Sequence, residues 1–149
     1  IAREAYFLDY ARDIRAVMKK PMMVTGGFRT REGMDAALAA KVCDMIGVGR
    51  PFCSDPDVAL KLIDGRMKAM PALEKQLEIG PGWLGLNSPF RIIAALNGWG
   101  QQGWFCLKIM EIAEGKAPDL SMGVFSAFRK YQASEAEAAK LYNAHWQNQ

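Results

Sequence analysis

The chain has 149 residues, half of them hydrophobic and 23% charged, with a formal net charge of +3. That length suits one ordinary domain, the apolar fraction excludes a disordered chain, and so mild a charge excludes the basic stripe that nucleic-acid binding needs. No apolar run nears the ~20 residues of a membrane span, and no signal-peptide pattern stands at the start. The first element is a helix that the chain enters with neither Met nor loop, so we expect the sequence to begin inside a larger architecture. Phe7, Tyr10, Ile14 and Val17 recur at three- and four-residue steps and predict its inward face.

Pro21 breaks that pattern, and "MMVT" (22–25) reads as a short buried strand. Thr30 is placed to cap a second helix, with Met34, Ala37 and Leu38 on one face and an end near Lys41. "CDMIGV", Cys43 to Val48, predicts a second buried strand, closed by Gly49-Arg50-Pro51. Asp55 before Pro56 reads as N-cap and first helical position of a helix that stops at Gly65.

Past Gly65 the texture changes. "EIGPGWLGLNSP" predicts loop and turn, and Ser88-Pro89 opens a helical piece through Leu96. A separate helix follows over "QQGWFCLKIMEIAEG", with Trp104, Phe105, Leu107, Ile109 and Met110 inward. Two more helices are expected, one from Ser121 to Tyr131 burying Val124, Phe125 and Phe128, the other capped by Ser134 with Glu137 as its capping box.

Apolar strands alternating with helices over short connections are the grammar of a parallel α/β fold, with the two strands adjacent and their crossover right-handed. Two strands alone leave open edges and little sheet to cover. The pattern therefore fits either an α-rich domain with a vestigial sheet or a piece of a larger barrel.

Few residues carry chemistry. The cysteines, Cys43, Cys53 and Cys106, form no C-x-x-C pair and predict reduced thiols in a cytoplasmic protein, Cys43 and Cys106 as packing residues. His145 is the one histidine, which leaves no material for a zinc site or a Ser/His or Cys/His system. Asp9/Asp13 and Glu135/Glu137 read as solvated helix faces, and Trp83, Trp99 and Trp104 with Phe105 as core. Gly26-Gly27, directly after a strand, allow a sharp turn and close approach of an anion to backbone N–H groups. Alone they are better explained by a βα turn that needs positive φ, since the full G-x-G-x-x-G is absent. Gly49-Arg50 ends the next strand with a planar fork of donors suited to phosphate, though alone it is better explained by a surface salt bridge with Asp55 or Asp57. Taken together, two successive βα units aim glycines and an arginine from adjacent strand ends, as in the phosphate sites of (β/α)₈ barrels. Asp55 and Asp57 crowd the following helix start, so an anion is expected on the turns rather than on that helix.

"PMMVTGGFRTREGMDAAL" followed by "CDMIGVGRPFCSDPDVALKLIDG" resembles the end of the old yellow enzyme family, the FMN-dependent NADH:flavin oxidoreductases. "NGWGQQGWFCLKIMEIAEGKAPDLSMGVFSAF" is similar in texture to C-terminal helices of some of its members. The resemblance implies a C-terminal fragment of an eight-stranded barrel: 1–65 the last two βα units, 66–149 a helical extension packing on that barrel, one domain overall. It implies that Gly26, Gly27, Gly49 and Arg50 meet the FMN phosphate, with Phe28 and Phe52 as weaker candidates along the cofactor. It further implies hydride transfer from NAD(P)H through FMN to an activated alkene or another acceptor in the full-length parent. The family's substrate-binding histidine pair or His/Asn pair and its proton-donating tyrosine fall on earlier strands, so no catalytic residue is expected in this chain, and the chain alone is expected to be inactive. The other reading of the residues is a non-catalytic, self-associating α-rich module, joined through exposed strand edges.

Overall fold

The computed structural model describes residues 7–147, apart from the side chain of Gln147. The chain divides into two compact units, Ile1–Ala72 and Leu73–Gln149.

The first unit is a helix-rich α/β unit. Helix α1 spans Leu8–Val17, strand β1 Met23–Thr25, α2 Arg31–Ala39, β2 Met45–Gly47 and α3 Val58–Ile63. The strands pair in parallel, Met23 with Met45, Val24 with Ile46 and Thr25 with Gly47. Thr30 caps α2 as expected, its hydroxyl accepting from Gly33 N–H at 3.1 Å. Lys41, at φ +52°, ends that helix in the left-handed conformation usually given to glycine.

One face of the small sheet is covered and the other is open. Val24 packs in a core with Ala11, Met22, Phe28, Ala37, Val42 and Cys43, while Met23 and Met45 are 59% and 60% exposed. A neighbouring cluster joins Val58, Leu62 and Met70. The expected stripe on α1 is not its inward face. Ala11 is buried, whereas Phe7, Tyr10, Ile14 and Val17 are all exposed. The reason is the pairing of Arg15 with Asp44. Its two guanidinium nitrogens donate to that carboxylate at 2.8 and 3.0 Å, and the same carboxylate accepts from Met22 N–H at 2.8 Å. That fork fixes the Leu8–Ala11–Arg15 side of the helix against the strand entries.

Helix α3 also departs from expectation. It begins at Val58, not at Pro56, because the Asp55 carboxylate accepts from Asp57 N–H at 3.0 Å and closes a local turn instead of capping the helix.

The second unit rests on two long helices, α4 (Arg91–Ala113) and α5 (Val124–Gln147). Each replaces two separate helices expected from sequence. The break foreseen near Asn97-Gly98-Trp99-Gly100 does not occur, and Gly100, like Gly103 beyond it, is a contact point rather than a stop. A Cβ on Gly100 would stand 2.4 Å from a Val124 methyl, and one on Gly103 2.9 Å from Tyr131 Cβ. The α5 sequence holds neither Gly nor Pro, and its Ala/Glu-rich middle propagates helix straight through Ser134.

The core here is Leu77, Trp104, Val124 and Ala127. Ile109, Met110 and Phe125, expected inside, are exposed, as are Trp83 and Trp99 at 59% and 58%. Their places are taken by polar groups, Asn97 and Lys108, each 0% exposed. Among the described residues no helix is long and apolar enough to cross a membrane.

Candidate functional site

The parallel register sets Thr25 beside Gly47, so the chain leaves both strands at the same level of the sheet. After β1 it turns through Gly26 at φ +123° and Gly27 at φ +78°, conformations that L side chains rarely adopt. A Cβ on Gly26 would also sit 3.0 Å from the Phe7 ring. Gly47 is fixed by its neighbour, since a Cβ there would fall 1.9 Å from Thr25 Oγ1. Two residues on, Gly49 differs. Its φ is −117°, and nothing lies within 4 Å of where a Cβ would stand.

The two turns enclose a cleft of about 210 Å³, with Thr25 to Arg29 on one side and Gly47 to Arg50 on the other. Gly26, Gly27, Gly49 and Arg50 therefore meet in one place. Phe28 borders the cleft from the core side, its ring 1% exposed among apolar neighbours. Burial of such a ring contributes roughly 1.5–3 kcal/mol to the fold. Phe52 does not reach the cleft. It lines a separate apolar cavity of about 370 Å³ with Met34, Leu38, Ile46 and Leu62.

Sequence reasoning missed Arg29, which lines the cleft half-buried. Its Nη1 donates to Phe28 O at 2.8 Å, and its own carbonyl accepts from Met70 N–H at 2.7 Å. The available signal was its position, two residues after the Gly-Gly turn and inside the same connection.

Among the described residues the cleft lining carries two arginines and no carboxylate. The nearest acidic residues in sequence, at 55 and 57, follow in the next turn, where Asp55 accepts from Lys61 Nζ at 2.6 Å. That hydrogen bond, ahead of the Asp57 N–H and the nearby charges of Lys61 and Arg66, holds the Asp55 carboxyl below its usual range. One of the two negative charges is thus locally neutralised. At 210 Å³ the cleft is below the ~300–1,000 Å³ of sites that enclose a whole drug-sized ligand. Glycine turns, open space at Gly49 and two planar cations fit the phosphate end of a cofactor and not its rings.

The remaining candidates are structural. Among the described residues no group of three or more His, Cys, Asp or Glu could hold a metal ion. His145 is exposed on α5, edge-on to Trp146. Asp9 accepts from Arg12 at 2.7 Å on the exposed face of α1. Burial pushes the Cys43 thiol up, away from the thiolate a nucleophile needs. The Tyr131 phenol, pushed up to about 12 chiefly by its hydrogen bond with Cys106, holds its proton.

No family model matches the chain, and no solved structure matches it. Curated relatives do. The NADH-dependent flavin oxidoreductase iccE of Talaromyces variabilis is 46% identical over 55 residues, 36% of this chain and 13% of that protein. The NADH-dependent flavin oxidoreductase iliE of Hypocrea jecorina is 39% identical over 54 residues, 36% of this chain and 14% of that protein. The NADH-dependent flavin oxidoreductase nadA of Aspergillus parasiticus is 37% identical over 65 residues, 43% of this chain and 14% of that protein. The chain thus spans only 13–14% of the length of these relatives in the matched stretches. Over these stretches the chain is similar to proteins named NADH-dependent flavin oxidoreductase.

Proposed function

We propose that the cleft between the two βα turns holds the phosphate of FMN, and that the chain supplies this grip to a flavin oxidoreductase of the old yellow enzyme type. The observation that carries the reading is the register of β1 and β2. It brings Gly26-Gly27 and Gly49-Arg50 onto one cleft, whose lining among the described residues has no carboxylate. The matches to proteins named NADH-dependent flavin oxidoreductase support it. In this reading residues 1–65 are the last two βα units of a (β/α)₈ barrel and 66–149 its helical extension, working in a reducing cytoplasm.

Bound FMN supplies hydride transfer from NAD(P)H to an activated alkene or another acceptor. The chain's own residues bind and orient. Arg50 presents two parallel N–H donors to phosphate oxygens, a geometry that a lysine does not reproduce. Gly26 and Gly27 let the backbone approach the anion, and the absence of a side chain at Gly49 leaves the room it occupies. No residue of this chain is assigned to proton transfer or to holding a substrate carbonyl.

Titration of the purified chain with FMN, followed by flavin fluorescence, tests this. Arg50→Ala is expected to weaken FMN roughly ten- to a hundredfold, the range for a lost hydrogen bond to a charged group. An affinity indifferent to that change removes the phosphate assignment.

A second reading, self-association of the chain as a non-catalytic module, is favoured by the open face of the sheet. Met23 and Met45 lie outward there, and Tyr10, Ile14 and Val17 are exposed on α1. Apolar surface of that kind and unpaired strand edges favour association. A monomer in sedimentation at high micromolar concentration would rule it out.

A further inference from the structure

We infer that the apolar cavity between α2 and α3 is a binding site for a small uncharged apolar molecule. The site is separate from the phosphate reading and gives a place to Phe52, which does not reach the cleft. At about 370 Å³ the cavity falls within the ~300–1,000 Å³ of sites that enclose small ligands. An apolar cavity of ~150 Å³ takes benzene, so this one has room for roughly a dozen heavy atoms.

Three observations carry it. The lining is apolar and comes from successive elements: Met34 and Leu38 on α2, Ile46 on β2, Phe52 after it, Leu62 on α3 and Met70 beyond. The methionines among them adapt readily to the shape of a ligand. The walls are also braced, which opposes collapse of the space. Arg31 Nη1, at the start of α2, donates to Ile63 O, at the end of α3, at 2.7 Å. Met70 N–H donates to Arg29 O at 2.7 Å, and Thr30 pairs with Ala69 in an antiparallel bridge beside it. Finally, the charge at the rim is balanced. Arg31 and Asp35 are the charged residues of the described lining, both largely exposed, and Arg31 Nε donates to Asp35 Oδ2 at 3.4 Å. An ionic ligand would set its charge against apolar walls and meet a rim whose charges are already paired. An uncharged one gains from apolar area alone, about three- to fourfold in affinity per buried methylene.

The test uses the full chain with isotope-labelled methionine methyl groups, followed by NMR, and the primary alcohols from propanol to octanol as probes. The Met34 and Met70 methyl signals are expected to shift, while those of Met110 and Met122 in the second unit stay. Affinity should rise about three- to fourfold per methylene until the cavity is full. Hexanoate and hexylammonium should bind about tenfold more weakly than hexanol, or less tightly still. Ala59→Leu puts bulk into the lining and should weaken hexanol about tenfold without lowering the unfolding midpoint. Hexanoate or hexylammonium binding as tightly as hexanol overturns the uncharged class. Equal methionine shifts in the two units, or a hexanol affinity untouched by Ala59→Leu, overturns the site. Where the added leucine unfolds the chain, the wild-type shift pattern decides alone. None of these results depends on whether the cleft holds FMN.

Discussion

Both units set polar groups against apolar ones, but they close them differently. In the second unit Asn97, Gln101 and Trp104 turn their polar atoms to their own surroundings. Asn97 Oδ1 accepts from Ile79 N–H at 2.8 Å, while its Nδ2 donates to Leu84 O and Ile93 O at 2.9 Å and to Gly85 O at 3.2 Å. Gln101 Nε2 donates to Glu74 O and Leu77 O, and Trp104 Nε1 to Met122 O. In the first unit the polar surface lines an open cleft, and at Gly49 the space where a side chain would stand is empty. The difference separates structural polarity from functional polarity. Removing a group from the second unit should cost the fold, and altering the cleft should cost binding.

The sharpest break of that rule would come from Asn97. Replacement by alanine leaves a backbone donor and two loop carbonyls without their partner, each worth roughly 1–3 kcal/mol when buried. Partial exposure of the loop lowers the sum, and a loss on the order of 4 kcal/mol is expected, read from chemical unfolding. A loss below ~1 kcal/mol would mean that water satisfies those groups and that the site is not a closed one.

Glu111 comes next. Lys108 is fully buried, donates to both Glu111 carboxylate oxygens at 2.8 and 2.9 Å, and lies 5.4 Å from the centre of the Trp104 ring. That hydrogen bond holds the Glu111 carboxyl below its usual range. Glu111→Ala strands a buried ammonium and should cost about 3 kcal/mol, the lower end for breaking such a pair, since Glu111 is itself 23% exposed. Lys108→Met keeps the stem's packing and leaves only a half-solvated carboxylate, so it should cost clearly less. Equal losses in the two variants would show that packing, not charge, sets the energy there.

The first unit was the more legible of the two in sequence, for a physical reason. Its signals are local. Thr30 caps the helix that begins one residue later, Lys41 marks its end, and the apolar runs at 22–25 and 43–48 contain the two strands. Pairing two such strands in parallel then brings Gly26-Gly27 and Gly49-Arg50 together without further information. Arg29 escaped notice because only the three-dimensional turn shows that its side chain faces the same cleft as Arg50. Asp55 misled because an aspartate that caps a helix and one that closes a turn look alike until the backbone is known.

In the second unit the decisive contacts are long-range. Gly98 and Gly100 read as a break, yet Gly100 lies against Val124, and Asn97 serves a loop more than ten residues before it. Ser134 and Glu137 had the spacing of a capping box, which needs an interruption to cap, and α5 has none. Comparison of helix content before and after a Gly100→Ala change would show whether that glycine serves contact or flexibility.

A smaller test sharpens the comparison on the side of the cleft. Asp55 sits outside the lining, and its carboxyl is held below the usual range by Lys61 first. A carboxylate depressed in the folded state contributes stability that is fully present above its unfolded pKa of about 4, and loses it as pH falls through the folded value. The pair is 32% and 22% exposed at Lys61 and Asp55, so the contribution should stay under ~1 kcal/mol. Asp55→Asn is expected to flatten the acid limb of stability below pH ~4, with FMN affinity at pH 7 changed little or slightly raised. An unchanged acid limb would assign that stability to other carboxylates, such as Asp44.

The smallest effect on the fold is the most informative about function. Gly49→Ala adds one methyl where nothing stands within 4 Å, at a residue whose φ of −117° lies outside the left-handed region. Unfolding should shift by no more than ~0.5 kcal/mol, as for surface changes away from special features. The methyl would nonetheless occupy room beside Arg50 that the phosphate reading assigns to the anion, and a tenfold loss of FMN affinity, ~1.4 kcal/mol, is expected. Gly26→Ala should do the reverse of this separation. It forces a side chain into φ +123° and against the Phe7 ring, so stability and binding should fall together. If Gly49→Ala leaves FMN affinity untouched, the open space beside Arg50 has no ligand to hold, and the two units differ only in how tightly they are packed.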